Sequence, residues 1–231
     1  MRTPLILSAF AALGLVATPQ TAPAEHPDFS GFWELRPDSR NIPPASLTAW
    51  AAGLDKQAQA GKNLYAIRWC NHVGLPAMMD DGGPLDIRQG RYEIAIAGQS
   101  VSPGRHIYMD GRSQPSPDAF DPTTLGNSVG RWDNDALTVD TTGFNDKGIT
   151  DIPGGGVRTA TSRLKETWRL AGQGAHLEVT FTWTDPKVYA SPHTYSFRYE
   201  KAPAATRAHE WFCDPADAAR AKFLLDPPQS R

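Results

Sequence analysis

Two stretches late in the chain alternate with a period of two. Leu177, Val179, Phe181 and Trp183 share one face, with Glu178, Thr180, Thr182 and Thr184 on the other. Tyr195, Phe197 and Tyr199 repeat the pattern against Ser196, Arg198 and Glu200. Successive side chains of a strand point to opposite faces, so these stretches form a sheet with one apolar and one wet side. Such a sheet must bury its apolar side, either by closing on itself or by stacking on a second sheet. Consecutive antiparallel strands of this kind favour a closed or nearly closed up-and-down barrel over a sandwich.

Most of the remaining chain reads as short β-segments punctuated by Gly, Pro, Asn and Asp. The predicted strands are Gly31–Leu35, Leu85–Gln89, Tyr92–Ala97, Arg105–Asp110, Ser128–Trp132, Leu137–Thr141, Thr161–Leu170, Leu177–Trp183, Thr194–Lys201 and Ala208–Cys213. Hairpin turns are expected at "RQGRY", at Asp133–Asp135 and at Ala171–Ala175, and a longer link at Asn145–Val157. One amphipathic helix is expected at Ser46–Ala60, capped by Ser46 or Thr48 and stopped by Gly61. A second short helix fits near Pro215–Leu225. The expected fold is therefore mainly β: a single antiparallel barrel with one or two short peripheral helices.

The N-terminus has the form of an export signal. Arg2 precedes the apolar run Leu5–Ala17, and Ala22-Pro23-Ala24 gives an A-x-A cleavage pattern. The run is short for a membrane span, and no second apolar run of membrane length follows. Residues 1–24 are thus expected to be a cleaved signal peptide, and 25–231 one β-barrel domain. The expected location is outside the cytoplasm, in the periplasm. A net charge of −2 gives no electrostatic reason to expect nucleic acid or an anionic membrane as partner. In an oxidising compartment the two cysteines, Cys70 and Cys213, are expected to form a disulfide; two free thiols are the alternative.

No GxSxG, Walker, GxGxxG or HExxH motif occurs, and none of the six histidines pairs at metal-ligand spacing. The expectation is acid–base chemistry or plain binding, with no metal and no organic cofactor. Three stretches place polar groups where a plain barrel has no use for them. Glu166 shares a face with Leu164, Trp168 and Leu170, so its carboxyl is a general acid or base with a raised pKa, or the partner of an arginine, or it lies on a face that is only half buried. In "RHIYMDGR", His106, Tyr108 and Asp110 lie on one face and Arg105, Ile107 and Met109 on the other; the first face is taken as the inward one. In "GNSVGRWDND", Gly130 permits a bulge. Arg131 there is either a clamp for a carboxylate or phenolate oxygen or the brace of a turn through Asp133 or Asp140.

"R-x-I-Y-M-D-G-R" followed by "G-N-S-V-G-R-W-D-x-D-x-L-T-V-D-T-x-G-F-N-D" resembles an exported, mostly uncharacterised bacterial family. "C-N-H-V-G-L-P", "K-E-T-W", "D-P-K" and "E-W-F-C" extend the likeness over almost the whole of the mature chain. The resemblance implies a lipocalin-like barrel. It also implies relatives that act as cofactor-independent lyases on lignin-derived phenolics of the phenylcoumaran type. Such a lyase removes a carboxyl or hydroxymethyl group through a quinone-methide-type intermediate. In that chemistry Glu166 or Tyr108 is the base, and Arg131, Arg105 or His106 supplies donors to the phenolic oxygen. Tyr92, Trp132 and Trp168 hold the rings, with Asp110 at the rim. Where relatives carry an acidic, histidine-containing stretch after "G-F-N-D", this chain has "KGITDIPGGGVRTA". Two readings follow: an exported lyase acting on a phenolic compound, and a non-catalytic periplasmic barrel that binds a small apolar or aromatic ligand. A structural envelope protein without a small-molecule site is a third.

Overall fold

The computed structural model describes residues 26–59, 74–80, 83–98, 104–145 and 158–207. The expected signal peptide, both cysteines, the strand Ala208–Cys213, the helix near Pro215–Leu225 and the Gly154–Gly156 run lie outside the described residues.

The chain is mainly β and forms a closed barrel of strands in sequence order. The strands are β1 (Gly31–Asn41), β2 (Leu85–Gln89), β3 (Glu93–Ala97), β4 (Arg105–Tyr108), β5 (Asn127–Asp133), β6 (Ala136–Thr142), β7 (Arg163–Ala171), β8 (His176–Thr184) and β9 (His193–Lys201). Helix α1 (Ala49–Gln59) is the one α-helix among the described residues. Thr48 caps it, its hydroxyl accepting the Ala51 N–H at 3.3 Å and donating to the Lys187 carbonyl at 2.7 Å. The helix is thereby fastened to the β8–β9 turn.

Closure explains one departure from simple up-and-down order. Strands that alternate in direction cannot close a ring of odd number, so one neighbouring pair must run parallel. That pair is β4–β5, joined through Ile107↔Ser128 and Tyr108↔Val129; the other neighbours are antiparallel. Residues 109–126 carry the chain back along the barrel to make it. Strand β1 also runs longer than expected, because an irregularity between Leu35 and Arg40 lets it stay paired with β9.

The register sorts the connections into two ends. Short turns after β2, β5 and β7 make a hairpin end, and the longer connections after β1, β3, β6 and β8 make a loop end. Inward alternation fills the barrel as expected of β8 and β9: Leu177, Val179, Phe181, Trp183, Tyr195, Phe197 and Tyr199 are all buried. The segment Gly74–Asp80 enters the barrel as a plug, with Leu75, Met78 and Met79 completely buried. The Tyr199 hydroxyl donates to the Met79 carbonyl at 2.7 Å, and Arg40 pairs with Asp80. No helix among the described residues is long and apolar enough to cross a membrane.

Candidate functional site

Strand β4 presents Arg105 and Ile107 inward and His106 outward, the reverse of the expected orientation. The cause lies sixty-one residues further on. Glu166, on the inward face of β7, is fully buried, and so is Arg105. One guanidinium nitrogen donates to Glu166 Oε1 at 2.9 Å and a second to Oε2. The same guanidinium reaches the Ser128 hydroxyl at 3.1–3.2 Å and Thr141 at 3.3 Å, with Met79 Sδ at 3.9 Å. Two buried charges satisfy each other with near-complete hydrogen bonding, the condition under which an interior ion pair is tolerable. The pair also straps β4, β5, β6 and β7 together from inside, across the parallel seam. Of the alternatives open for Glu166, the structure has the arginine partner.

The other residues singled out from the sequence are dispersed. His106 Nδ1 pairs with Glu93 on the outer surface, where roughly half of the His106 side chain is exposed. Tyr108 lies beneath the Arg112 guanidinium at 3.9 Å, and Arg112 forks onto Asp110 at 2.7–3.0 Å. That fork holds the Asp110 carboxyl below its ordinary range. Arg131 is exposed and donates to the Arg112 carbonyl at 3.3 Å, rather than to Asp133 or Asp140. Tyr92 is 57 % exposed. Trp132 lies half-buried towards the hairpin end, stacked between His26 at 4.5 Å and Phe29 at 5.4 Å, while Trp168 is in the core behind Phe29. Arg105, Glu166 and Trp168 therefore share the interior, whereas His106, Tyr108, Asp110, Arg131 and Tyr92 lie outside it. His106 and Tyr108 are turned away because only one face of a four-residue strand can be inward, and that face carries Ile107 and the partner of Glu166.

The loop end holds a feature that sequence reading passed over. A cleft of about 550 Å³ is lined by Trp50, Pro122, Phe144, Asn145, Arg158, Thr159, Ala160 and Lys187. Arg158 is 2 % exposed; it donates to the Thr124 carbonyl at 2.9 Å, and its guanidinium carbon stands 5.4 Å from the Phe144 ring. Burial pulls this guanidinium well below the ordinary arginine range, to about 9, with the phenols of Tyr189 and Tyr195 acting in the opposite direction. Asp185 shapes the wall. It accepts from the Ser162 and Thr159 hydroxyls and from the Lys187 N–H, so it ties the segment before β7 to the turn after β8. These bonds hold its carboxyl low against the opposing effect of burial, which is the largest single influence on it.

Below the cleft, the phenols of Tyr189, Tyr195 and Tyr199 are pushed up by burial and remain protonated donors at neutral pH. His193 lies buried between Tyr189 at 5.6 Å and Tyr195 at 5.3 Å, its Nε2 without a hydrogen-bond partner among the described residues. Trp50 and "D-P-K" were both visible as sequence features, one on the helix and the other within the wider signature. Nothing local says that α1 and the β8–β9 turn meet. Among the described residues no cluster of His, Cys, Asp and Glu is arranged to hold a metal. No protein-family model matches the chain, and no curated protein matches it either.

Proposed function

We propose that the protein is a non-catalytic, lipocalin-like carrier that takes a small apolar or aromatic molecule at the loop end of its barrel. The N-terminal leader supports a periplasmic location for this role. The observation that carries the reading is the cleft itself. Its volume falls in the range of about 300–1,000 Å³ usual for small-molecule sites, and it combines aromatic walls with a few fixed polar groups. The barrel interior is less available, because the Gly74–Asp80 plug and the aromatic side chains of β8 and β9 occupy it. Incubation of the purified, metal-stripped protein with phenolic dimers and hydroxycinnamates, followed by equilibrium dialysis and mass spectrometry, tests the reading. Saturable retention with the compound recovered intact is the expected result; failure to retain any compound in the panel sinks it.

A second reading, a cofactor-independent lyase acting on a lignin-derived phenolic, is favoured by the charged pair inside the barrel. Buried ionisable groups cluster at functional sites more often than elsewhere, and Glu166 with Arg105 supplies a carboxylate and a donor fork in one place. The same incubation distinguishes the two. Release of carbon dioxide or formaldehyde, lost in a folded Glu166→Gln variant, would replace the carrier by the lyase.

A further inference from the structure

The turn between β8 and β9 is fastened on two sides. Its backbone holds the start of α1: the Thr48 N–H donates to the Val188 carbonyl at 2.9 Å, and the Ala190 N–H donates to the Ser46 carbonyl at 2.8 Å. On its inner side Val188 and Tyr189 are buried, and Tyr189 stacks on His193, the first residue of β9. The geometry points to an acid-operated latch: protonation of His193 releases the β8–β9 turn together with the start of α1, and so opens the loop-end cleft, whose walls include Lys187 of that turn and Trp50 of that helix. As regulation of a binding site the latch rests on the carrier reading; the movement itself needs no ligand.

His193 is 4 % exposed, and its Nε2 has no hydrogen-bond partner among the described residues. A neutral imidazole can leave that nitrogen as a bare acceptor, whereas an imidazolium makes both ring nitrogens donors. Protonation in place would therefore bury a charge together with an unpaired N–H. The groups around it offer no remedy. From the turn it faces the Tyr189 phenol, and from β9 the Tyr195 phenol, whose oxygen already accepts from the Trp183 indole of β8 at 3.1 Å. Asp185, Arg158 and Glu166 act on those phenols from further off. Neither carboxylate bonds to the imidazole: Asp185 is engaged by Ser162, Thr159 and the Lys187 N–H, and Glu166 by Arg105. The charged ring must reach water, and Tyr189 stands over it. Moving Tyr189 moves the backbone on either side of it, which carries the bonds to Thr48 and Ser46. Asp185, tied to the segment before β7, is the fixed point about which the turn swings. The β6–β7–β8 ladder is paired along its length and stays closed.

Hydrogen exchange of the full protein at about pH 8 and about pH 5, corrected for intrinsic rates and read by mass spectrometry, tests the latch without a ligand. An open form whose His193 titrates at the ordinary 6.5 gains up to about thirtyfold over the closed form between those two pH values. Exchange in α1 and in the β8–β9 turn should rise by up to that factor at the lower pH, while β6 and β7 keep their protection. His193→Phe should abolish the rise. Should that variant lose the fold, the wild-type ring decides: the His193 resonances should titrate with the same midpoint as the exchange. No rise, an equal rise across β6, β7 and the turn, a rise that persists in a folded His193→Phe, or a ring still neutral at about pH 5 overturns the latch and leaves the carrier reading intact. Adding N-phenyl-1-naphthylamine, a neutral aromatic probe, at about 100 times its Kd should slow the acid exchange of both segments about tenfold or more. A probe that binds without slowing it overturns the coupling of latch to cleft. If the segments open in acid as expected but the probe binds at neither pH, the carrier reading fails and the latch stands.

Discussion

At the scale of single residues, the Arg105–Glu166 pair dominates the interior. Each member is buried only because the other is, so removing one charge and removing both should have opposite consequences. Glu166→Gln leaves the guanidinium in the core without its counter-charge and should destabilise the protein by about 3–5 kcal/mol. Replacing both, as in Arg105→Met with Glu166→Leu, should recover most of that loss, because a well-packed apolar pair avoids the desolvation cost altogether. Urea unfolding midpoints of the wild type, the single variant and the double variant measure this. A double variant no more stable than Glu166→Gln would mean that Ser128 and Thr141 depend on the guanidinium more than the carboxylate does.

At the scale of elements, the plug and helix α1 make opposite demands on glycine. A Cβ added at Gly74 would meet the Thr124 carbonyl at 2.3 Å, backbone that cannot give way cheaply. Gly53, inside α1, has nothing within 4 Å of the same position. Gly74→Ala should therefore cost about 1–3 kcal/mol by overpacking. Gly53→Ala should gain about 0.5–1 kcal/mol, because alanine loses less backbone entropy in a helix. Thermal melting of the two variants gives the signs directly; a stabilised Gly74→Ala would show that the plug is not seated against Thr124. The plug meets Arg158 at Gly74 whereas α1 reaches the cleft through Trp50, so Gly74→Ala should also loosen Arg158 and Gly53→Ala should not.

At the scale of the whole molecule, buried titratable groups set the range of pH over which the barrel is stable. Burial lowers the His193 pKa below its ordinary 6.5. The unfolded chain therefore binds the extra proton first, and stability falls as pH drops below about 6.5. The Asp185 carboxyl is held below 3.8, so its contribution is complete above that value and is lost on further acidification. Burial raises Tyr189, Tyr195 and Tyr199 above 10, so the unfolded chain ionises first at high pH and stability falls again above about 10. Melting temperature against pH should be flat near neutrality and decline first below about 6.5. In His193→Phe, which keeps a ring between the two tyrosines, that first decline should shrink; an unchanged acid limb would remove His193 as its source. Much of the architecture was legible from pattern. The periodicity of β8 and β9 placed their buried and exposed faces correctly, and turn residues located the hairpins after β2, β5 and β7. The strand at β4 was legible but its inward face was not, because Arg105 and Ile107 form as mixed a face as His106 and Tyr108. The parallel β4–β5 seam was hidden too, since it follows from the number of strands that close the ring. By itself, then, the sequence determined a β-rich chain, the inward faces of its clearly alternating strands and the presence of Glu166 among apolar neighbours. Only the tertiary structure decided that Arg105 answers Glu166 and that Trp50, Phe144, Arg158 and Lys187 share one cleft. Local alternation says which residues lie together on a face, but the environment of a charge is set by partners that chain closure brings from far away in the sequence.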